Sequence, residues 1–219
     1  MYLIDDERVE NAIMAADAVC KAPGVYRSPG DYSGHASIDA MLAYVQTKFD
    51  IQVHLWDVSF QGTNIGSRLE VYKDRIEISV RSDQDIGWKR FCAAKELMHL
   101  LIDSAQDYSP YGNDRIDEML EKGIIGLASA KNNPTGNPTQ SELVAEIGAV
   151  EVLYPAKQII KDIEQLKTEG HDPIISIPKA ALIRQMPRFY VATALRQDFR
   201  TFVAAAMTQC NGRRENSSK

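Results

Sequence analysis

A chain of 219 residues, 44% hydrophobic and 25% charged, is long enough to bury a sizeable core and too apolar for an intrinsically disordered protein. Three widely spaced cysteines, Cys20, Cys92 and Cys210, none in a CxxC pair, suit reduced thiols better than a disulfide framework or a cysteine-rich zinc site. The net charge of −5 is unevenly divided: His171 onward holds eight Lys or Arg against three Asp or Glu, so residues 1–170 sum to −10 and the chain as a whole lacks a nucleic-acid binder's basic balance.

In chain order, residues 5–21 have helical spacing of apolar side chains, and their acidic N-terminal run is unlike a basic secretory leader. No stretch approaches the roughly 18 apolar residues of a membrane span. The expectation is a cytoplasmic protein with no membrane attachment. Gly24, Pro29, Gly30 and Gly34 mark a loop, and Ser37 is placed to cap a second helix over 37–49. The period then changes. IQVHLWDVSF (51–60) alternates, and RLEVYKDRIEISV (68–80) reads as two strands joined by a turn at Lys73 and Asp74, so a small antiparallel sheet is expected.

A helix over 87–104 follows. Residues 105–140 are rich in turn formers, with a short helix expected at 114–122 and the character of a lid or a surface insertion. SELVAEIGAVEVL (141–153) is a second strong helix stopped by Pro155, and AKQIIKDIEQLKTEG a third closed by Gly170. His35, in a glycine-flanked loop, His54, alternating within a strand, and His171, after the Gly170 cap, read as surface, sheet-face and loop residues.

The helix over 87–104 carries AAKELMHLLID. At 100° per residue from Lys95, Phe91, Ala94, Leu97, Met98, Leu100, Leu101 and Ile102 cover an arc from about 140° to about 340°. Lys95, Glu96, His99, Cys92 and Asp103 share the rest. A helix apolar around most of its circumference is largely buried, so this narrow polar stripe must face a cleft, a partner group or a metal. The pattern is an HExxH helix with its first histidine replaced by Lys95, keeping Glu96 in the general-base position and His99 in that of the second zinc ligand. An ammonium has no lone pair to offer a metal.

The stretches 76–103, IEISVRSDQDIGWKRFCAAKELMHLLID, and 142–155, ELVAEIGAVEVLYP, resemble the ImmA/IrrE family of metallopeptidases. Arg90, Phe91, Ala94, Glu96, Leu97, His99, Leu100 and Leu101 match the family's RRFTLAHELGHLLLH-like helix. Glu142, Ala145, Ala149, Leu153 and Pro155 match its ExxA...FAAxLLMP-like second helix. The resemblance implies a zincin-like α+β fold, Glu142 as third zinc ligand, and a role in gene regulation in mobile elements or stress responses, where a helix-turn-helix repressor is cleaved or otherwise relieved. Three positions depart from it: Lys95 replaces the first histidine, Met98 a small residue, and Gly148 an aromatic.

If the fold is kept, Lys95, His99 and Glu142 converge with Glu96 beside them, and the lysine neutralises the two carboxylates in place of a cation. The expectation is a metal-free pseudopeptidase acting by binding a protein. The alternative is an active endopeptidase in which Zn2+ is held by His99 and Glu142 with Asp103 or Cys92 as replacement ligand; Cys92 lies about 10 Å of rise from His99, too far for one ion to touch both easily.

IPKAALIRQMPRFYVATALRQDF (177–199) reads as two helices with a turn near Met186 and Pro187. This spacing is helix-turn-helix-like, and Arg184, Arg188, Arg196 and Arg200 are candidates for DNA phosphates. The alternative is two helices packed back on the core. The expected organisation is a domain over 1–170, a helical segment over 171–210 and a disordered tail over 211–219.

Overall fold

The computed structural model describes residues 6–28, 30–61, 66–104, 107, 138–170, 172 and 176–217. Two helices come first, α1 (Asp6–Lys21) and α2 (Ile38–Phe49). The Ser37 hydroxyl accepts from Ala40 N at 3.2 Å, satisfying one of the free N–H groups that open α2. Strands β1 (Gln52–Val58), β2 (Ser67–Val71) and β3 (Arg75–Arg81) follow, with β2 and β3 closed into a hairpin by Tyr72 N donating to Arg75 O at 2.8 Å. The chain is α+β, with one small sheet packed against helices.

The sheet is mixed, and this corrects the antiparallel expectation. Its order is β1-β3-β2, with β3 antiparallel to β2 but parallel to β1. Alternation of apolar residues identifies strands without giving their direction. The central place goes to β3, which buries Ile76, Ile78 and Val80, whereas β2 has only the half-buried Leu69 facing the core.

Helix α3 (Ile86–Ile102) starts at Asp85, whose carboxylate accepts from Trp88 N at 3.1 Å. Helix α4 (Pro138–Leu153) lies between α1 and α3 and buries Val144, Ala145, Ile147, Ala149, Val150, Val152 and Leu153. An element apolar on nearly every side belongs in the middle of the fold, each large side chain contributing about 1.5–3 kcal/mol on burial. Pro155 ends the run, and α5 (Ala156–Thr168) begins with its first N–H donated to the carboxyl group of Glu151 at 3.0 and 3.1 Å. Gly170, at φ 71°, carries the chain out of α5 in the left-handed region that favours glycine.

Helices α6 (Ile177–Arg184), α7 (Arg188–Leu195) and α8 (Gln197–Ser217) complete the chain. The expected two helices joined at Met186 and Pro187 are present, and they pack back on the body. Met186, Tyr190, Val191 and Ala194 join the main core, while Val203 and Ala206 of α8 join a second cluster with Val9, Ala12, Ile13, Val144 and Ile147. Helix α8 continues to Ser217, across most of the tail expected to be disordered; no proline interrupts it, and polar residues such as Gln, Arg and Glu are good helix formers. The helix expected at 114–122 and His171 lie outside the described residues. Among the described residues, no helix is long and apolar enough to cross a membrane.

Candidate functional site: an ionic cleft between two helices

The polar stripe of α3 faces α4. Lys95 Nζ donates to Glu142 Oε2 at 2.6 Å and lies 3.4 Å from Glu96 Oε1, its side chain only 17% exposed. Burial pushes the ammonium's pKa down, but Glu96 and Glu142 more than reverse this and hold it above the ordinary lysine value. Burial likewise pushes the Glu142 carboxyl up, and His99 with Lys95 more than reverse that, holding it at about 2. The two residues therefore form a largely buried charged pair between α3 and α4.

His99 lies one turn beyond Lys95 and is 5% exposed. Its Nδ1 is 2.7 Å from Asp103 Oδ2 and 3.1 Å from Ser141 Oγ, and Ser141 itself donates to the same Asp103 oxygen at 2.6 Å. The far nitrogen, Nε2, points at Glu142 Oε1 across 3.3 Å, an ion-pair distance without hydrogen-bond alignment. Burial pushes the imidazole's pKa down, yet Asp103 and Glu142 lift it to about 9. At neutral pH the cleft therefore holds two cations, the ammonium and an imidazolium.

These distances decide what each residue can do. Asp103, the candidate replacement ligand, is behind the imidazole on Nδ1 and has its other oxygen 3.5 Å from Arg8, so it orients His99 and is on the wrong side of the ring to share an ion with Nε2. Ser141, His99 and Asp103 do not form a hydrolytic triad, because hydroxyl and carboxylate share one ring nitrogen. Cys92 turns its thiol toward Gln84 Oε1 at 3.8 Å, and burial raises its pKa. Glu96 is buried and accepts from Ser67 Oγ of β2 at 2.6 Å.

A zinc ion needs three or four lone-pair donors converging within about 2.3 Å. Here Glu142 accepts from the Lys95 ammonium, and Nζ lies between the carboxylates of Glu142 and Glu96. Among the described residues, no group of three His, Cys, Asp or Glu side chains is arranged to hold a metal. The arrangement leaves His99 Nε2 and Glu142 as two converging donors, with an ammonium where a further donor would stand.

Four participants were missed in the sequence. Ser141 precedes Glu142 and Glu146 follows it by one turn, so both were within reach of helical periodicity. Glu146 accepts from Tyr190 at 3.0 Å, and burial raises its carboxyl. Ser67 and Tyr190 come from β2 and α7, and no local pattern announces them. Tyr190 stacks on Phe91 with ring centroids 3.6 Å apart, which brings α7 against α3 at the cleft's edge.

The DNA candidates divide. Arg184 is 3% exposed, donates to the carbonyls of Tyr32 and Gly34, pairs with Asp162 at 2.8 Å and lies over the Tyr154 ring. This corrects its assignment to phosphates: it anchors α6 to the body. Arg196 is exposed and paired with Asp198 at 2.5 Å, Arg188 is exposed, and Arg200 is half-buried. His35 is exposed, and His54 stacks on Trp56 in the sheet.

A scan against protein-family models finds no match, and a search of curated proteins finds no similar chain.

Proposed function

We propose that this chain is a regulatory protein resembling the ImmA/IrrE metallopeptidases that works by binding another protein, with Lys95 taking zinc's electrostatic place. The observation that carries the reading is the 2.6 Å contact between Lys95 Nζ and Glu142 Oε2. Glu142 is the residue that the resemblance makes the third zinc ligand, and its partner here is an ammonium delivered from the position of the first histidine. The cleft keeps the carboxylates and the histidine of a peptidase and neutralises them internally. Without a bound Lewis acid, Glu96 has no activated water to deprotonate.

The resemblance supports a helix-turn-helix repressor as the partner and gene regulation in mobile elements or stress responses as the setting. The test is cleavage of an unbiased peptide library by the purified chain with added zinc, beside Glu96→Gln. The proposal expects no cleavage by either protein; cleavage that disappears on Glu96→Gln overturns it.

A further inference from the structure

We infer that the corner between α6 and α7, together with the start of α3, is a docking surface for an acidic peptide segment of another protein that carries large apolar anchors. Leu182 of α6 is 78% exposed, Phe189 of α7 66% and Ile86 of α3 61%, with Ile183 and Trp88 exposed to a lesser degree. Helical spacing explains why. Each short helix turns one side to the body, through Ala181 and Arg184 in α6 and Tyr190, Val191 and Ala194 in α7, and leaves Leu182, Ile183 and Phe189 outside. The corner and α3 touch at Gly87, where a Cβ would meet the Met186 carbonyl carbon at 3.1 Å and Pro187 N at 3.3 Å. Trp88 and Phe189 both set their rings edge-on to Tyr190, with centroids 5.8 and 5.2 Å away. Apolar residues exposed singly need no account. Five large ones around one corner approach the several hundred Å² at which a patch marks an interaction site.

Charge identifies the occupant. Residues 176–197 contain four Lys or Arg and no Asp or Glu, in a chain whose first 170 residues sum to −10. Arg184 is committed to Asp162 and Arg196 to Asp198. Lys179 and Arg188 remain: both are exposed, and among the described residues neither has a carboxylate at ion-pair distance. Lys179 lies one helical turn before Leu182 and Ile183, on their side of α6, and Arg188 immediately precedes Phe189. The acidic groups at the α3 end are occupied, since Asp85 accepts from Trp88 N and Asp83 pairs with Arg81. The surface thus offers apolar side chains flanked by unmatched positive charge. A segment with apolar anchors and acidic flanks complements both, and its carboxylates gain ion pairs without breaking any.

Other occupants fit less well. DNA binders neutralise about 6–10 phosphates, and two cations among exposed Leu, Ile and Phe do not supply that. An anionic membrane is likewise held weakly by two cations. A second copy docked by a two-fold axis would set Lys179 and Arg188 against the same pair of cations.

The inference rests on the reading that this chain works by binding a protein, and it adds where and what it binds. Tyr190, beneath the surface, is also the donor to Glu146, so a seated segment lies beside the ionic cleft. Lys95, Glu96, His99 and Glu142 are not part of the surface, so the cleavage test of the proposed function and the binding test below can fail separately.

A displayed library of random peptides is selected on the full native chain and counter-selected on Phe189→Ser, and the enriched peptides are measured by fluorescence anisotropy. Circular dichroism confirms that each variant is folded. The enriched peptides are expected to combine Leu, Phe or Trp with Asp or Glu, and to bind more weakly as salt is raised. Leu182→Ser and Phe189→Ser each weaken binding at least about 10-fold, the effect of losing an anchor residue. Lys179→Glu/Arg188→Glu also weakens it, and binds instead the same peptides with their acidic residues changed to Lys. No enrichment over Phe189→Ser, enriched peptides without an acidic bias, or affinity indifferent to the charge reversal overturns the inference. So does a dimer in sedimentation velocity, or binding to phosphatidylserine vesicles or duplex DNA, that Phe189→Ser abolishes, because the surface then belongs to another occupant.

Discussion

Met98 of α3 fills the space that a side chain at Gly148 of α4 would occupy: a Cβ built on Gly148 meets Met98 Cε at 2.5 Å and Cγ at 3.2 Å. In the sequence these are two separate departures from a family pattern, a large residue where a small one is usual and a glycine where an aromatic is common. In the fold they are one contact. Met98 is fully buried, so its side chain has to repack against the core to make room for a larger residue at 148. Gly148→Leu is expected to cost about 3 kcal/mol by overpacking, and Met98→Ala a similar amount by opening a cavity. The double variant costs clearly less than the sum, because each change makes room for the other. Urea unfolding of the four proteins measures the coupling; additive costs would show that the two residues do not share a space.

Replacing the lysine should harm the fold through the carboxylate it leaves behind. Lys95→Met removes the cation hydrogen-bonded to Glu142, whose side chain is only 23% exposed, leaves it the 3.3 Å ion pair with His99, and is expected to destabilise the protein by about 2 kcal/mol. Glu142→Gln in that background recovers most of the loss. If Lys95→Met alone is neutral, the pair does not hold the charge balance described here.

Among the described residues, Glu142, His99 and Glu151 dominate the pH dependence of stability between about pH 2 and about pH 9. Glu142, at about 2 against an ordinary 4.5, contributes stability that is present above pH 4.5 and lost as pH falls through about 2. His99, at about 9 against 6.5, contributes stability that is complete below pH 6.5 and lost as pH rises through about 9. Glu151, raised by burial from 4.5 to about 8, contributes stability that is complete below pH 4.5 and lost as pH rises through about 8. Urea midpoints should therefore be highest near pH 5 and lower at about pH 2 and about pH 9. Glu151→Gln, which keeps an oxygen to accept from Ala156 N, should flatten the decline between pH 4.5 and about 8. A midpoint that rises steadily from pH 5 to about pH 9 contradicts these assignments.

Arg184 should behave as an anchor of α6. Arg184→Ala leaves the Asp162 carboxylate and the Tyr32 and Gly34 carbonyls without their shared donor and is expected to cost about 3 kcal/mol or more. Hydrogen exchange should report the loss first in α6 and α7. If Arg184→Ala leaves stability intact but weakens salt-dependent DNA binding, the guanidinium is a phosphate contact after all.

What the sequence made legible was local. Alternation and helical spacing located α1, α2, the three strands, α3 and α5, and Ser37 and Gly170 marked the correct helix ends. The polar stripe on α3 predicted the cleft, because a helix apolar on most sides has to explain its few charges. Strand direction was not legible, since β1 pairs with β3 from 23 positions away in the chain, Gln52 opposite Arg75. Asp103 was on the correct arc, but only the side-chain positions show that it serves Nδ1 of His99. Arg184 shows the same limit: an arginine beside a turn has the sequence signature of a phosphate contact whether it faces solvent or, as here, the carbonyls of another segment.

If an ammonium occupies a cation's place, the metal content of the purified protein shows it. The native chain and Lys95→His are purified without added metal or chelator, exposed to equal zinc, and analysed by elemental mass spectrometry. No stoichiometric zinc is expected in the native chain and about one equivalent in Lys95→His, with uptake that improves as pH rises because His99 must release its proton to bind. Zinc near one equivalent in the native chain would contradict it.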